Sequence, residues 1–157
     1  MQINLPQAVK AFYPNPSFEL IYYEAVANAL DAGASVISIS ICIDSFDKPN
    51  TLEITIADDG HGFTDRAFRK FSRLLEVDCN DHKGLGRLVY LAYFRTIRFD
   101  SHYAGGTLRR SFVFDSRFKG KCEVLAASGI DGTTIQMSNF SGVRLRAYSN
   151  IQPDDIK

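Results

Sequence analysis

Residues 24–43 read EAVANALDAGASVISISICI. The hydrophobic period changes inside this stretch. Up to Ala32 the apolar residues recur with helical spacing, and the pattern reaches back to Ser17, just past the prolines of YPNP (13–16), which mark a turn. Gly33 is a C-terminal helix stop. Beyond it the residues alternate. Ile37, Ile39, Ile41 and Ile43 point one way, Ser38 and Ser40 the other, which predicts a half-buried strand. A helix over 17–32 feeding such a strand predicts helices packed on a sheet.

The same signals continue outward. FDKPN (46–50) is a turn, and TLEITIAD (51–58) alternates with Leu52, Ile54 and Ile56 on its apolar face, so the two strands form an antiparallel hairpin. DDGHGF (58–63) breaks the alternation. A helix is expected from Thr64 to about Leu75, capped by Thr64 or Asp65. EVDCNDHKG (76–84) is a polar loop, and LGRLVYLAYF (85–94) is a largely buried helix. Four more strands are expected at about 95–103, 107–116, 121–128 and 132–138, separated by glycine-containing turns. The order predicts an α+β fold: a two-layer sandwich with helices on one face of a mainly antiparallel, mixed sheet.

The chain has 157 residues, one domain's worth, and 45% of them are hydrophobic, enough for a core. Lys+Arg and Asp+Glu are balanced at 18 each, so global charge does not point to nucleic acid or a membrane surface. The basic clusters LRRSF (108–112) and VRLRAY (143–148) read as solvated strand faces. Three separated cysteines, Cys42, Cys79 and Cys122, imply no disulfide framework. With no leader and no membrane-length apolar run, a cytoplasmic protein is expected. The tail NIQPDDIK (150–157) begins another helix-like pattern, which suggests the N-terminal domain of a longer protein.

Four features stand out against this background. On a helix turning about 100° per residue, Glu24, Asn28 and Asp31 fall within roughly 60° of one another. That polar stripe lies on a helix apolar most of the way round, hence expected to be largely buried, where carboxylates and amides need partners or ligands. An exposed seam is the alternative. Asp58 keeps the parity of Leu52, Ile54 and Ile56, so its carboxylate faces the apolar side. The DGHG that follows offers room for a flat ligand, or is a plain Asp-Gly turn. In HKGLGRL (82–88) two glycines flank Leu85 at a helix start, where free N–H groups attract phosphate, and Lys83 and Arg87 bracket them with positive charge. No Walker-type P-loop is present. In DGTTI (131–135) Thr133 shares parity with Ile135 and Met137, which by itself describes a core threonine bonded to backbone.

In this order, E-x-x-x-N-x-x-D-A, D-x-G-x-G, K-G-L-G-R and G-T-T-I resemble the GHKL ATPase superfamily of gyrase, heat-shock chaperones, histidine kinases and MutL. The resemblance runs from about Phe18 to Met137. The helix motif is similar to the MutL and gyrase branch, while HKGLGRL departs from the longer glycine box of MutL and is similar to the kinase or uncharacterised ATPase versions. The resemblance implies a Bergerat ATP-binding fold. It implies that Glu24 is the general base acting on the attacking water, and that Asn28 is the protein ligand of Mg²⁺. Asp58 would accept from the adenine amino group, with Gly60 and Gly62 wrapping the base and Thr133 supporting Asp58 or the base, directly or through water. Lys83, Gly84, Leu85 and Gly86 would meet the phosphates, and residues 76–86 would form a lid. Asp31 fits the pattern in a structural role. Asp59 stands where MutL and gyrase have asparagine. The lysine that those proteins supply from a second domain has no place in this chain, which should hurt turnover more than binding.

The expected function is binding and hydrolysis of ATP with Mg²⁺. Its partners would be ATP or ADP, further domains of the same chain and a nucleotide-dependent homodimer, with nucleic acid reached only through a full-length protein and no membrane. A nucleotide-gated interaction module with little hydrolysis is the alternative, which Glu24 argues against. A histidine kinase catalytic domain is a third reading, without a visible dimerisation helix. A metal site from Asp78, Cys79, Asp81 and His82 is a fourth, lacking a second ligand pair.

Overall fold

The computed structural model describes residues 4–73 and 85–141. Helix α1 (Leu5–Phe12) opens the chain, followed by α2 (Leu20–Asp31), strand β1 (Ile37–Cys42), a 3₁₀ turn at Pro49–Thr51 and β2 (Glu53–Asp58). Helices α3 (Asp65–Ser72) and α4 (Leu88–Tyr93) come next. Strands β3 (Phe94–Tyr103), β4 (Leu108–Phe114), β5 (Glu123–Ala126) and β6 (Gly132–Phe140) complete the fold. The six strands form one sheet in the order β1-β2-β6-β3-β4-β5. Every described pairing is antiparallel, so no parallel pair makes the sheet mixed among the described residues.

One face of this sheet carries the core. Ile54, Ile56, Ile135, Met137, Ile97 and Phe99 come from three adjacent strands and are all buried, as period-2 alternation requires. Phe112 and Phe114 extend the same face on β4. Phe63, Phe68, Phe71 and Phe118 close over it with mostly edge-on ring contacts, while Phe99 and Phe112 stack at 4.7 Å. Full burial of one such side chain stabilises by about 1.5–3 kcal/mol.

Local chemistry explains most boundaries. Thr64 caps α3, its Oγ1 accepting from the Ala67 N–H. Gly33 ends α2 at φ +74°, with its N–H on Leu30 O and the Ala34 N–H on Ala29 O, the bond pair of a Schellman stop. Helix α1 was not expected. Its signals are present but short: Asn4 accepts from the Gln7 N–H, Pro6 sits in the first turn, and only Leu5 and Val9 reach the core. Helix α4 is shorter than LGRLVYLAYF suggests. Phe94 is already extended and pairs with Phe140, so the sheet claims the last residue of that run.

Two burial expectations are corrected. Helix α2 is not largely buried: Ile21, Ala25 and Ala29 form one inward seam, while Tyr23 and Leu30 are 68% and 61% exposed. Strand β1 is not half-buried either. Ile39 and Ile41 lie on the core face opposite Ile56 and Ile54, yet they are exposed, because β1 is the sheet edge and no described helix covers it.

Candidate functional site

The register aligns four polar residues across the core face. Asp58 on β2 pairs with Thr133 on β6, Thr133 with Ser101 on β3, and Ser101 with Arg110 on β4. Thr133, Ser101 and Arg110 are buried and Asp58 half-buried. The row anchors the loop after Asp58 at its far end. The Phe63 N–H donates to Ser101 Oγ at 2.7 Å, and Phe63 O accepts from Arg110 at 2.6 Å. Arg110 also bonds Asp65 and the Tyr103 hydroxyl, and its guanidinium lies over the Phe68 ring. At the near end, Asp59 Oδ1 accepts the N–H groups of Ser35 and Val36 at 2.7 and 2.8 Å. These bonds hold its carboxyl below the usual range.

Between the anchors, Gly60 and Gly62 press against the protein itself. A side chain at Gly60 would meet Ala32 at 2.8 Å, and one at Gly62, where φ is +74°, would meet the His102 carbonyl at 2.0 Å. Asp58 receives the Gly60 N–H at 2.9 Å. Burial nonetheless raises its pKa, outweighing the backbone N–H groups of Gly60 and Thr133, and the Asp59 charge adds to the rise. A half-buried carboxylate is suited to accept a further hydrogen bond from a ligand.

Helix α2 connects this region to a second one. Ala32, against Gly60, is eight residues from Glu24, so the two share a face about 12 Å apart at 1.5 Å per residue. Glu24 Oε2 lies against Gly86, where an added Cβ would meet it at 1.9 Å. Asn28, between them, donates Nδ2–H to Glu24 Oε1 at 3.0 Å. A carboxylate only accepts, so that bond fixes the amide and turns its oxygen away from Glu24. A cleft of about 190 Å³ opens at this end, lined by Tyr13, Leu20, Tyr23, Glu24, Gly86 and Val89. It does not extend to Asp58.

Two buried groups surround Glu24. Arg87 lies 4.2 Å over the Phe71 ring, and burial lowers its pKa to about 10 against the favourable Glu24 charge. Tyr90 has a buried hydroxyl with no settled partner. Burial, then the Glu24 charge, raise its pKa; Asn28 is near enough to oppose this without the geometry of a hydrogen bond.

The sequence profile of the histidine kinase-, DNA gyrase B- and HSP90-like ATPases matches residues 15–138. The chain belongs to that ATPase family. No curated protein matches it in sequence. Among solved structures it is similar to the Aquifex aeolicus MutL ATPase domain complexed with ADP, at 15% identity and TM-score 0.54, over 88% of this chain and 49% of that one. It is similar to the N-terminal domain of a DNA repair protein, at 18% identity and TM-score 0.59, over 94% and 42%. Thermus thermophilus gyrase B, as its ATPase domain in complex with an aminocoumarin, gives 17% identity and TM-score 0.53, over 88% and 37%. These likenesses establish a shared fold, and the chain spans half or less of each structure.

Within this ATPase fold, α2 brings Glu24 and Asn28 together with Gly86, and the sheet brings Asp58 beside Thr133. Leu85 precedes Gly86 in the turn entering α4 and is partly buried. Lys83, Gly84, the rest of the 76–86 segment and the Asp78–His82 cluster lie outside the described residues. No described group of His, Cys, Asp and Glu could hold a metal ion. Arg87 does not bracket the turn from outside but points inward, and Arg110 is buried rather than on a solvated strand face. Sequence reading missed Ser101, Arg110 and Tyr90. The first two became visible only through strand register. Tyr90 looked like one more aromatic in an apolar run. No described helix is long and apolar enough to cross a membrane.

Proposed function

We propose that this domain binds ATP along α2, with the base at Asp58 and the phosphates at Gly86, and hydrolyses it using Glu24. The observation that carries this is the bipolar contact of one helix face. Ala32 meets the glycine loop of Asp58, and Glu24 meets Gly86 about 12 Å away. That spacing suits an elongated ligand with an amino-bearing base at one end and anions at the other.

Asp58 accepts from the exocyclic amino group, over a loop held in place by Asp59 and Phe63. Gly60 and Gly62 keep that loop low enough to admit a flat base. Gly86 and Leu85 offer backbone N–H groups to phosphate, and Gly84 and Lys83 belong to the same proposal. Mg²⁺ fits the donor set: the Asn28 amide oxygen is a hard ligand directed away from Glu24. When bound, the ion neutralises phosphate charge. Glu24 Oε1 is engaged by Asn28, so Oε2, against Gly86, is the atom that takes the proton from water. The buried Arg87 guanidinium interacts favourably with the Glu24 charge.

The same reading couples nucleotide binding to lid closure, to further domains or to a second copy of the chain, in a cytoplasmic setting. Glu24→Ala tests the hydrolytic half. It should keep Mg²⁺-ATP binding and lose about a hundredfold or more in turnover, measured as phosphate release in the full-length protein. Turnover equal to the unmutated enzyme would remove Glu24 from catalysis and favour a nucleotide-gated interaction module.

A further inference from the structure

The neighbours of the Ser101 hydroxyl fix the direction of its proton. Ser101 Oγ has three neighbours: Phe63 N at 2.7 Å, Gly132 O at 2.8 Å and Thr133 Oγ1 at 3.0 Å. A hydroxyl has one proton and two lone pairs. The Phe63 N–H can only donate, so it takes one lone pair. The Gly132 carbonyl can only accept, so it takes the single proton; otherwise two oxygens would face each other at 2.8 Å with no hydrogen between them. One lone pair of Ser101 remains, directed at Thr133. The Thr133 hydroxyl must therefore donate to Ser101, and its own proton is committed. What Thr133 has left is acceptor capacity only.

Thr133 is 7% exposed and sits in register with Asp58 on the same face. Its hydroxyl cannot donate to the Asp58 carboxylate, because its proton is already spent. The two side chains therefore present acceptors alone. We infer that Ser101 sets the hydrogen-bond polarity beside Asp58, making Asp58 and Thr133 an acceptor pair that selects a 6-amino purine over a 6-oxo purine. Ser101 is a positioning residue in this scheme and does not touch the base. The inference rests on the reading of Asp58 as the base-binding acceptor and adds the residue that enforces its selectivity.

The test compares ATP with inosine triphosphate, which carries an oxygen in place of the 6-amino group, by calorimetric titration of the unmutated domain, Ser101→Ala, Thr133→Val and the double variant. The unmutated domain should prefer ATP. In Ser101→Ala the Thr133 hydroxyl is released to donate, so the ATP-to-inosine ratio should narrow by about tenfold. A merely structural loss at Ser101 would weaken both ligands equally and leave the ratio alone. Thr133→Val should also narrow the ratio, and adding Ser101→Ala to it should change the ratio no further. If Ser101→Ala does not fold, Thr133→Val, which keeps the side-chain shape, decides alone. An unchanged ratio in a folded, ATP-binding Ser101→Ala, or in Thr133→Val where that decides, overturns the role of Ser101 and leaves the nucleotide reading standing. No binding of either triphosphate by the unmutated domain overturns both.

Discussion

Asp58 carries two opposing demands, and its titration exposes them. Burial raises its pKa above the ordinary 3.8, so the folded state holds its proton more tightly than the unfolded chain does. The sign follows directly. Above the folded pKa the carboxylate is ionised at some cost in stability, and acidification relieves that cost while removing the acceptor. Nucleotide affinity should therefore fall as pH drops, beginning above the range of an ordinary aspartate, and a titration series from pH 7 to about 4 checks it. Affinity flat across that window would mean that Asp58 does not meet the ligand in its ionised form. Tyr90 makes a second case at this scale. Its buried hydroxyl has no settled partner, so Tyr90→Phe should leave the melting temperature unchanged or raise it slightly, whereas loss of a satisfied hydrogen bond would cost about 1 kcal/mol. A clear fall in melting temperature would show that Tyr90 holds Asn28. The placement of Glu24 beside Asn28 and of Asp58 beside Thr133 was legible in the sequence, because helical spacing and strand parity set a polar group where an apolar one belongs. Ser101 and Arg110 were not legible, because a serine or an arginine in an alternating strand looks solvated until the register shows which face it occupies.

The elements were legible where their periods were long and their stops chemical. The α2–Gly33–β1 transition and the Thr64 cap on α3 appear where the residues put them. The exceptions have physical causes. Helix α1 has too few core positions to generate a period, and α4 loses Phe94 to strand pairing. Burial was the weaker inference, since alternation tells which residues share a face but not whether a helix covers that part of the sheet. Ile39 and Ile41 have the right parity and no cover. The loop between β2 and α3 is the element most tightly specified. Gly62→Ala should cost more than about 2 kcal/mol in unfolding free energy, because φ +74° disfavours a Cβ and the His102 carbonyl at 2.0 Å is backbone that cannot step aside. Gly86→Ala should differ in kind. There the obstacle is the end of the flexible Glu24 side chain, so stability should change little while Glu24 is driven from its place and turnover falls. Chemical denaturation of both variants, with phosphate release for Gly86→Ala, separates the two outcomes.

At the scale of the molecule, one face of α2 touches both the glycine loop after β2 and the turn before α4, and the proposed site runs between these two contacts. The ATPase family assignment covers residues 15–138. In the proposed function the base end and the phosphate end do different jobs, with Asp58 holding the nucleotide. Calorimetric titration of Asp58→Ala with Mg²⁺-ATP addresses it most directly, with denaturation run alongside to establish that the variant is folded. Removing a half-buried acceptor whose missing donor comes from the ligand should leave the fold intact and abolish measurable binding. A folded Asp58→Ala domain that takes up ATP with the affinity of the unmutated one would contradict it, and would move the pocket away from the end of β2.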